Sequence, residues 1–523
     1  MTAIEQQSKT NPGDTGKSLS QTKKLIRGSS LLTLGRVIAM VLNFIVQVIT
    51  VRYLMKADYG AFAYGLSIAS MGASIAVFGL GRTLNRFAPV FQEKNELGKM
   101  AGTVALTLCC VTGLSIGVVL LVLGTQGYIR TSLVSDPLSM SLLLILILMV
   151  PLKAIDSILD ELYATFAKPR DLFVRRHLIA PLLKMLAVVP LIFAHSDVRM
   201  LAISFVVCGA MGTLYSVVVL WKVFKNADLL QHFQRDRIDV PARQLFGFSF
   251  PLLSTDLLVI VRGSLVTLVL EFCHGAIGVA GFQAVLPVAR LNIFVADSFR
   301  LLFGPTISRM YARGEMASID QVYWRTSAWI AVGTFPLFLT CICLSKFITV
   351  TLFGPQYADS SGILALLAAG FYLNAIVGFN YEILKAHGHV GRIFLTDIIT
   401  VIAGIVLNLW LVPRWGVAGG AVTTVVILLM RPICNQITIF RMKLLKEVDW
   451  TCLRLFFVMM QVTIVAWLMP SITEDTLVVR FVATIVGTAV VLVGGLLALD
   501  IRNMFPELLK YSPIRLFMKA EGV

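Results

Sequence analysis

The feature that most constrains this chain is the recurrence of apolar runs about as long as a lipid bilayer is thick. A helix crosses the ~30 Å hydrocarbon core with roughly 20 apolar residues. Runs of that kind return at 26–51, 59–81, 100–123, 138–162, 172–194, 199–224, 245–271, 275–303, 326–349, 360–384, 394–412, 416–440, 453–470 and 478–500. Lipid offers no partner to an unpaired backbone group, so each run is expected as a helix. None has the polar and apolar alternation of a membrane barrel strand, which excludes that architecture. The expected fold is an all-α polytopic membrane protein of about fourteen transmembrane helices. Composition agrees: 57% of residues are hydrophobic and 14% charged, against about 25% charged in an ordinary soluble domain. A soluble globular protein, a disordered chain and a collagen-like fibre are all excluded.

The charges report topology. The chain carries 45 Lys and Arg against 29 Asp and Glu, a formal net charge of +16. Sorted by the segments between spans, 31 basic residues fall on the side of the N-terminus and six on the other side, with eight inside the spans. This is a strong positive-inside pattern. It places both termini of a multi-pass protein in the cytoplasm. The basic balance is then a membrane signal, and no nucleic acid partner is expected. The polar stretch 1–25 reads as a disordered cytoplasmic tail rather than a signal peptide. The eight cysteines sit mostly in apolar runs, without CxxC spacing or nearby histidine clusters. They read as small buried hydrophobes, so no metal and no cofactor are expected.

Several features repeat at an offset of about 220 residues. Gly28 and Ser30 match Gly247 and Ser249, Gly60 matches Gly278, and Arg82 matches Arg300. Glu161 and Phe173 are spaced as are Glu382 and Phe394. Six spans preserve orientation, so two such halves would be parallel repeats, an arrangement used by rocker-type carriers. The expected organisation is a tail at 1–25, an N-lobe at 26–224, a cytoplasmic linker at 225–244 and a C-lobe at 245–440. Two accessory spans at 441–500 and a cytoplasmic tail at 501–523 complete it.

Ionisable groups at membrane depth are costly and usually face a bundle interior or a wet cavity. Well inside the spans lie Arg36, Lys153, Lys184, Arg262 and Arg290, against Asp156 and Asp256, a cationic excess. Arg36 has no acidic residue within four positions. Arg290 and Asp297 share a helix face, and Arg300 nearer the span end is placed to shield Asp297 or to attract anions. Lys153 and Asp156, three residues apart, admit the plainer reading of a self-neutralising structural pair. Arg262 and Asp256, six apart, fall on different faces. The candidate substrate-binding residues are therefore Arg36, Arg290, Arg262, Lys153, Lys184 and Arg300, with Asp156 and Asp256 as candidates for ion coupling. Arginine suits phosphate because its planar fork makes paired charge-assisted hydrogen bonds. No phosphate-binding GxxxxGK[ST] loop, HExxH or GxSxG motif is present, and the longest loops, of about 20 residues, are short for a catalytic domain. A carrier is expected, not an enzyme.

Several segments resemble the polysaccharide flippase branch of the multidrug/oligosaccharidyl-lipid/polysaccharide exporter superfamily. They are Gly28-Ser29-Ser30 with Gly35-Arg36, Val51-Arg52-Tyr53-Leu54, Asp58-Tyr59-Gly60-Ala61-Phe62, and Phe78-Gly79-Leu80-Gly81 followed by Arg86. In the second half they are Phe303-Gly304-Pro305, Leu352-Phe353-Gly354-Pro355, Glu382-Ile383-Leu384-Lys385 and Trp415-Gly416-Val417-Ala418-Gly419-Gly420-Ala421. The resemblance implies two six-helix lobes around a central cavity plus two extra C-terminal helices. It implies transfer of a polyprenyl-diphosphate-linked oligosaccharide across the membrane for cell-surface polysaccharides such as O-antigen or exopolysaccharide. Arg36 and Arg290 fall where the related lipid II flippases have cavity arginines. The implied partners are the lipid-linked oligosaccharide, membrane lipids, and a polysaccharide polymerase with its assembly proteins. Lipid II flipping and multidrug/cation antiport within the same superfamily are the alternatives, and a scaffold role in polysaccharide assembly is a third.

Overall fold

The computed structural model describes residues 34–132, 136–166, 169–193, 197–226, 239–445, 450–468 and 476–498. Both expected tails, most of the expected linker and the Gly28-Ser29-Ser30 segment lie outside these residues. The described chain is helical nearly throughout and contains no strand. It divides into two units, Met1–Ile260 and Val261–Val523.

The first unit begins with α1 (Leu34–Tyr53) and α2 (Lys56–Val77). At the end of α2, Phe78 and Gly79 both take the left-handed conformation (φ 53° and 70°), and the chain turns into the amphipathic α3 (Leu80–Glu93). A Cβ on Gly79 would stand 3.1 Å from the Ser249 carbonyl oxygen and from Leu252 Cβ, so both the dihedral and the space require glycine. Next come α4 (Leu97–Gly124), α5 (Gln126–Ser132), α6 (Pro137–Leu146) and α7 (Met149–Phe166). Pro137 sits in the first turn of α6, and the Asp136 side chain caps it by accepting from the Leu138 N–H. The break between α6 and α7 bends the pair by 42°. The short α8 (Pro169–Phe173) runs into a single π turn, Val174–Ile179, and then α9 (Ala180–Phe193) and α10 (Val198–Asn226). α2 packs on α6 and α7, and α10 packs on α9 and α7. Small residues of α2 (Gly60, Ala61, Ala63, Gly65, Ala69) are buried there, as expected where helices approach closely without a hydrophobic drive from lipid.

α11 (Ala242–Ala312) crosses from the first unit into the second. The second unit continues with α12 (Met316–Cys343), α13 (Ser345–Phe353), a 3₁₀ turn at Pro355–Ser360, α14 (Ser361–Val377), α15 (Asn380–Ala386), α16 (Val390–Arg441), α17 (Trp450–Leu468) and α18 (Thr476–Ala498). α14 packs on α12 and α16. The two C-terminal helices lie against α12, sealed by Phe335, Phe338, Tyr372, Cys452, Met459 and Val491. Phe338 and Tyr372 stack with centroids 4.1 Å apart.

This is a multi-pass membrane protein. By length and apolar composition, nine helices among the described residues qualify as spans, or ten when the bent α6–α7 pair counts as one. The difference from about fourteen has a physical source in two long helices. α11 has 71 residues and α16 has 52, roughly 105 and 80 Å of helix at 1.5 Å per residue, far more than one crossing needs. Each is broken at one glycine in the left-handed region, Gly275 (φ 61°) and Gly416 (φ 55°), and so covers two of the expected apolar runs. The two C-terminal helices, α17 of 19 and α18 of 23 residues, lie on the remaining expected runs at 453–470 and 478–500. Four cysteines (Cys208, Cys341, Cys343, Cys452) are buried as expected, whereas Cys109 is exposed.

Candidate functional site

In the first unit the chemistry gathers around α7. Lys153, Asp156 and Asp160 stand three and four residues apart and share one face of that helix. The π turn brings Arg175 to the same face. A π turn inserts one extra residue into the helical path, and here Arg175 and His177 of that turn are buried. The Arg175 guanidinium forks between the carboxylates of Asp156 and Asp160. It also donates from Nε to Ser216 Oγ at 2.7 Å and from Nη2 to the Asp156 carbonyl at 3.1 Å. The Tyr163 ring lies 5.0 Å from its centre, and the Tyr163 hydroxyl donates to the Ser216 carbonyl at 2.9 Å. One cation is thereby matched to two anions.

These residues wall a cavity of about 220 Å³, into which Lys153, Lys184 and Arg176 also face. Lys184 Nζ donates to Asn43 Oδ1 of α1 at 3.0 Å, and Lys153 Nζ to Ser70 Oγ of α2 at 2.6 Å. Both lysines thus hold neutral oxygens rather than carboxylates. The sequence expectation of a Lys153–Asp156 pair is corrected on this point: Asp156 is taken by Arg175, and Lys153 turns to α2. Lys153 also lines a second cavity of about 340 Å³, whose wall includes Ser70, Ser74, Ser157 and Asp256. Asp256 is paired there with Arg82, which reaches the Leu252 carbonyl at 3.2 Å as well. Arg36 is exposed, near the start of α1. Its neighbour Gly35 is pressed against the π turn, where a Cβ would meet the His177 ring at 2.6 Å.

In the second unit Arg262 of α11 approaches Asp397 of α16 at 3.6 Å. Asp397 is held from the other side by Arg431, with Nε–Oδ1 2.6 Å and Nη2–Oδ2 3.2 Å. The Tyr381 ring lies 5.1 Å from the Arg431 guanidinium. Arg300 pairs with Asp297 at 2.9 Å, the shielding expected from sequence. Arg290 is exposed, and among the described residues it has no hydrogen bond or ion pair. Of the eight candidate residues the structure gathers Lys153, Lys184 and Asp156 at one cavity, with Asp256 at the adjoining one. Arg262 belongs to a separate cluster in the second unit, and no described hydrogen bond or ion pair joins Arg290 or Arg300 to it.

Three participants escaped the sequence reading. Arg175 was counted among the basic residues of a cytoplasmic segment. The signal that pointed to it is Asp156 and Asp160 on one helix face, which call for a cation. Asp397 and Arg431 were visible only as charges inside consecutive spans.

Residues 25–310 match the family model described as "Polysaccharide biosynthesis protein". An uncharacterized membrane protein of Methanocaldococcus jannaschii is 22% identical over 423 residues, covering 78% of this chain and 82% of that protein. Among solved structures, a lipid II flippase MurJ in an inward closed conformation superposes with a TM-score of 0.68 at 13% identity, over 92% of this chain and 99% of that one. An inward-facing multidrug resistance MATE family transporter of the MOP superfamily gives 0.65 at 11% identity, over 78% and 96%. The fold is that of these transporters.

Proposed function

The chain belongs to the polysaccharide biosynthesis protein family, and from that premise we propose that it is a flippase carrying a polyprenyl-diphosphate-linked oligosaccharide across the cytoplasmic membrane by alternating access. The observation that carries this reading is the charge on the wall of the 220 Å³ cavity. Lys153, Lys184, Arg175 and Arg176 face Asp156 and Asp160, a surplus of two positive charges. Charge at membrane depth persists only where it is paired or serves a ligand. Arg175 is fully used by the two carboxylates, and Arg176 stands 3.9 Å from Asp160, so the surplus of two resides on Lys153 and Lys184. A diphosphate brings the complementary charge.

In this reading the two lysines hold the headgroup, each exchanging a neutral oxygen partner for a phosphate oxygen. Arg175 positions the wall by neutralising Asp156 and Asp160, which would otherwise repel the anion. Ser216, Asn43 and Ser70 orient the three cations. Arg36, Arg290 and Arg300, exposed or half-exposed cations, supply attraction along the headgroup's route. Asp156 and Asp256 are each held by an arginine, so ion coupling through either requires that pair to open. The positive-inside charge pattern supports a cytoplasmic place for both termini.

The test is transport of a fluorescently labelled lipid-linked oligosaccharide by the purified protein in liposomes. Transport is expected from the unaltered protein, and a loss of at least ~tenfold from the Lys153→Gln/Lys184→Gln variant. Failure to move any lipid-linked sugar, with extrusion of a cationic dye instead, would overturn the reading in favour of the antiporter. Movement of lipid II alone would replace the oligosaccharide by the peptidoglycan precursor.

A further inference from the structure

The cluster of Arg262, Asp397 and Arg431 in the second unit has the opposite stoichiometry to the Arg175 site: two guanidinium groups converge on one carboxylate. Arg431 is saturated on its Nε edge, since Nε and Nη2 take the two oxygens of Asp397 side-on at 2.6 and 3.2 Å. Arg262 is not. Its Nη1 stands 3.6 Å from Asp397 Oδ1, an ion pair too long for a hydrogen bond. Among the described residues none of its five N–H donors has a hydrogen-bond partner. The side chains are partly exposed, at 26%, 20% and 30% for Arg262, Asp397 and Arg431. Asp397 Oδ1 is shared by both cations, so this one carboxylate lies where an oxyanion bridging the two guanidiniums would lie.

We propose that Arg262 and Arg431 form a second phosphate-binding site, at which Asp397 is a built-in competitor that leaves when a phosphate-bearing ligand arrives. The planar forks of two arginines match the oxygens of a phosphate group better than those of a single carboxylate. The cluster carries one uncompensated positive charge while Asp397 occupies it and two once Asp397 swings away, so a phosphate dianion completes it. Exchange of one anion for another keeps the arginines paired throughout, which avoids a bare charge at membrane depth. With a lipid-linked diphosphate as ligand, the inference deepens the flippase reading and rests on it. The chemistry of the arginines fits a phosphate free in the aqueous phase equally well, and the experiment separates the two sources.

The full-length protein carrying Lys153→Gln/Lys184→Gln, which removes the two cavity lysines of the first unit, is placed in lipid nanodiscs and titrated calorimetrically with inorganic pyrophosphate. Adding Asp397→Asn is expected to tighten binding at least ~tenfold, equivalent to about 1.4 kcal/mol. Adding Arg262→Gln to the same background is expected to abolish binding. Arg262 makes no hydrogen bond, so its replacement leaves the Arg431–Asp397 pair intact and the thermal melting midpoint unchanged. Retained pyrophosphate binding in the Arg262→Gln protein, or unchanged or weaker binding in an Asp397→Asn protein that melts normally, would overturn the proposal. Nanodiscs loaded with a polyprenyl diphosphate are expected to suppress the pyrophosphate signal, which identifies the lipid headgroup as ligand. Undiminished binding in loaded nanodiscs supports the site and assigns it to free phosphate. Pyrophosphate binding here by a protein that moves no lipid-linked sugar would overturn the flippase reading and leave this site standing. Transport without pyrophosphate binding would do the reverse.

Discussion

The two ionic clusters of this protein are built from the same parts in inverse proportion. In the first unit one arginine, buried to 5% exposure, lies between two carboxylates. In the second, one carboxylate lies between two arginines that are 26% and 30% exposed. The buried cation is over-compensated and held by five contacts, including Ser216 and Tyr163. The half-buried pair is under-compensated, and Arg262 keeps unused donors among the described residues. Burial explains the difference. A guanidinium without water must satisfy its donors inside the protein, whereas one facing an opening can keep donors for a ligand. The first arrangement serves structure and tunes the field at the neighbouring lysines; the second is arranged for exchange.

Mutations that break this contrast have ranked effects. Arg175→Gln leaves Asp156 and Asp160 without their shared counter-charge. Removing one partner of a buried pair typically costs 3–5 kcal/mol, and the partial exposure of the aspartates brings the expectation to about 3 kcal/mol. A fall in the fraction of monodisperse protein and in melting temperature checks this. A midpoint unchanged within error would show that the aspartates are solvated without it. Arg431→Gln is expected to cost less, about 1–2 kcal/mol, because Arg262 remains beside Asp397 as a substitute cation. Equal losses from Arg175→Gln and Arg431→Gln would abolish the distinction between the two clusters. Lys184→Met inverts the pattern. It removes an exposed charge whose hydrogen-bond partner among the described residues is the Asn43 amide oxygen, so stability is expected to hold within about 0.5 kcal/mol while transport falls. A joint fall in both would make Lys184 a structural residue. Tyr381→Leu, which removes the ring beneath Arg431, is expected to cost only about 0.5–1 kcal/mol, measured by the same melting assay.

Much of this was legible in the sequence, for reasons that can be named. Membrane helices announce themselves by apolar length, and deep charges stand out against an apolar background. Lys153, Lys184 and Asp156 were visible on that ground, and the structure places them at one cavity. The pairing of those charges was not legible. The i,i+3 spacing of Lys153 and Asp156 suggested a local pair, yet Arg175, 19 residues from Asp156, outcompetes the lysine. Arg175 itself lies four residues into an expected span, where a cation ordinarily extends to the interface. Nothing in hydropathy distinguishes it from Arg176 beside it, which is 58% exposed. The Asp397–Arg431 contact joins helix segments on either side of Gly416, a pairing set by tertiary packing and invisible to periodicity.

The π turn at Val174–Ile179 carries a consequence for how this region tolerates length changes. Such a turn holds one residue more than the α-helical path requires. Deleting one residue within it would give a regular helix, and the backbone would accept the loss readily. Deleting Val174 would move the later residues of the turn back by one place, about 100° of rotation each, taking Arg175 out of its fork and bringing Arg176 into its place. A deletion that is silent in helical content would therefore exchange which of two adjacent arginines forks between Asp156 and Asp160, making residue count rather than residue type the determinant of that pairing.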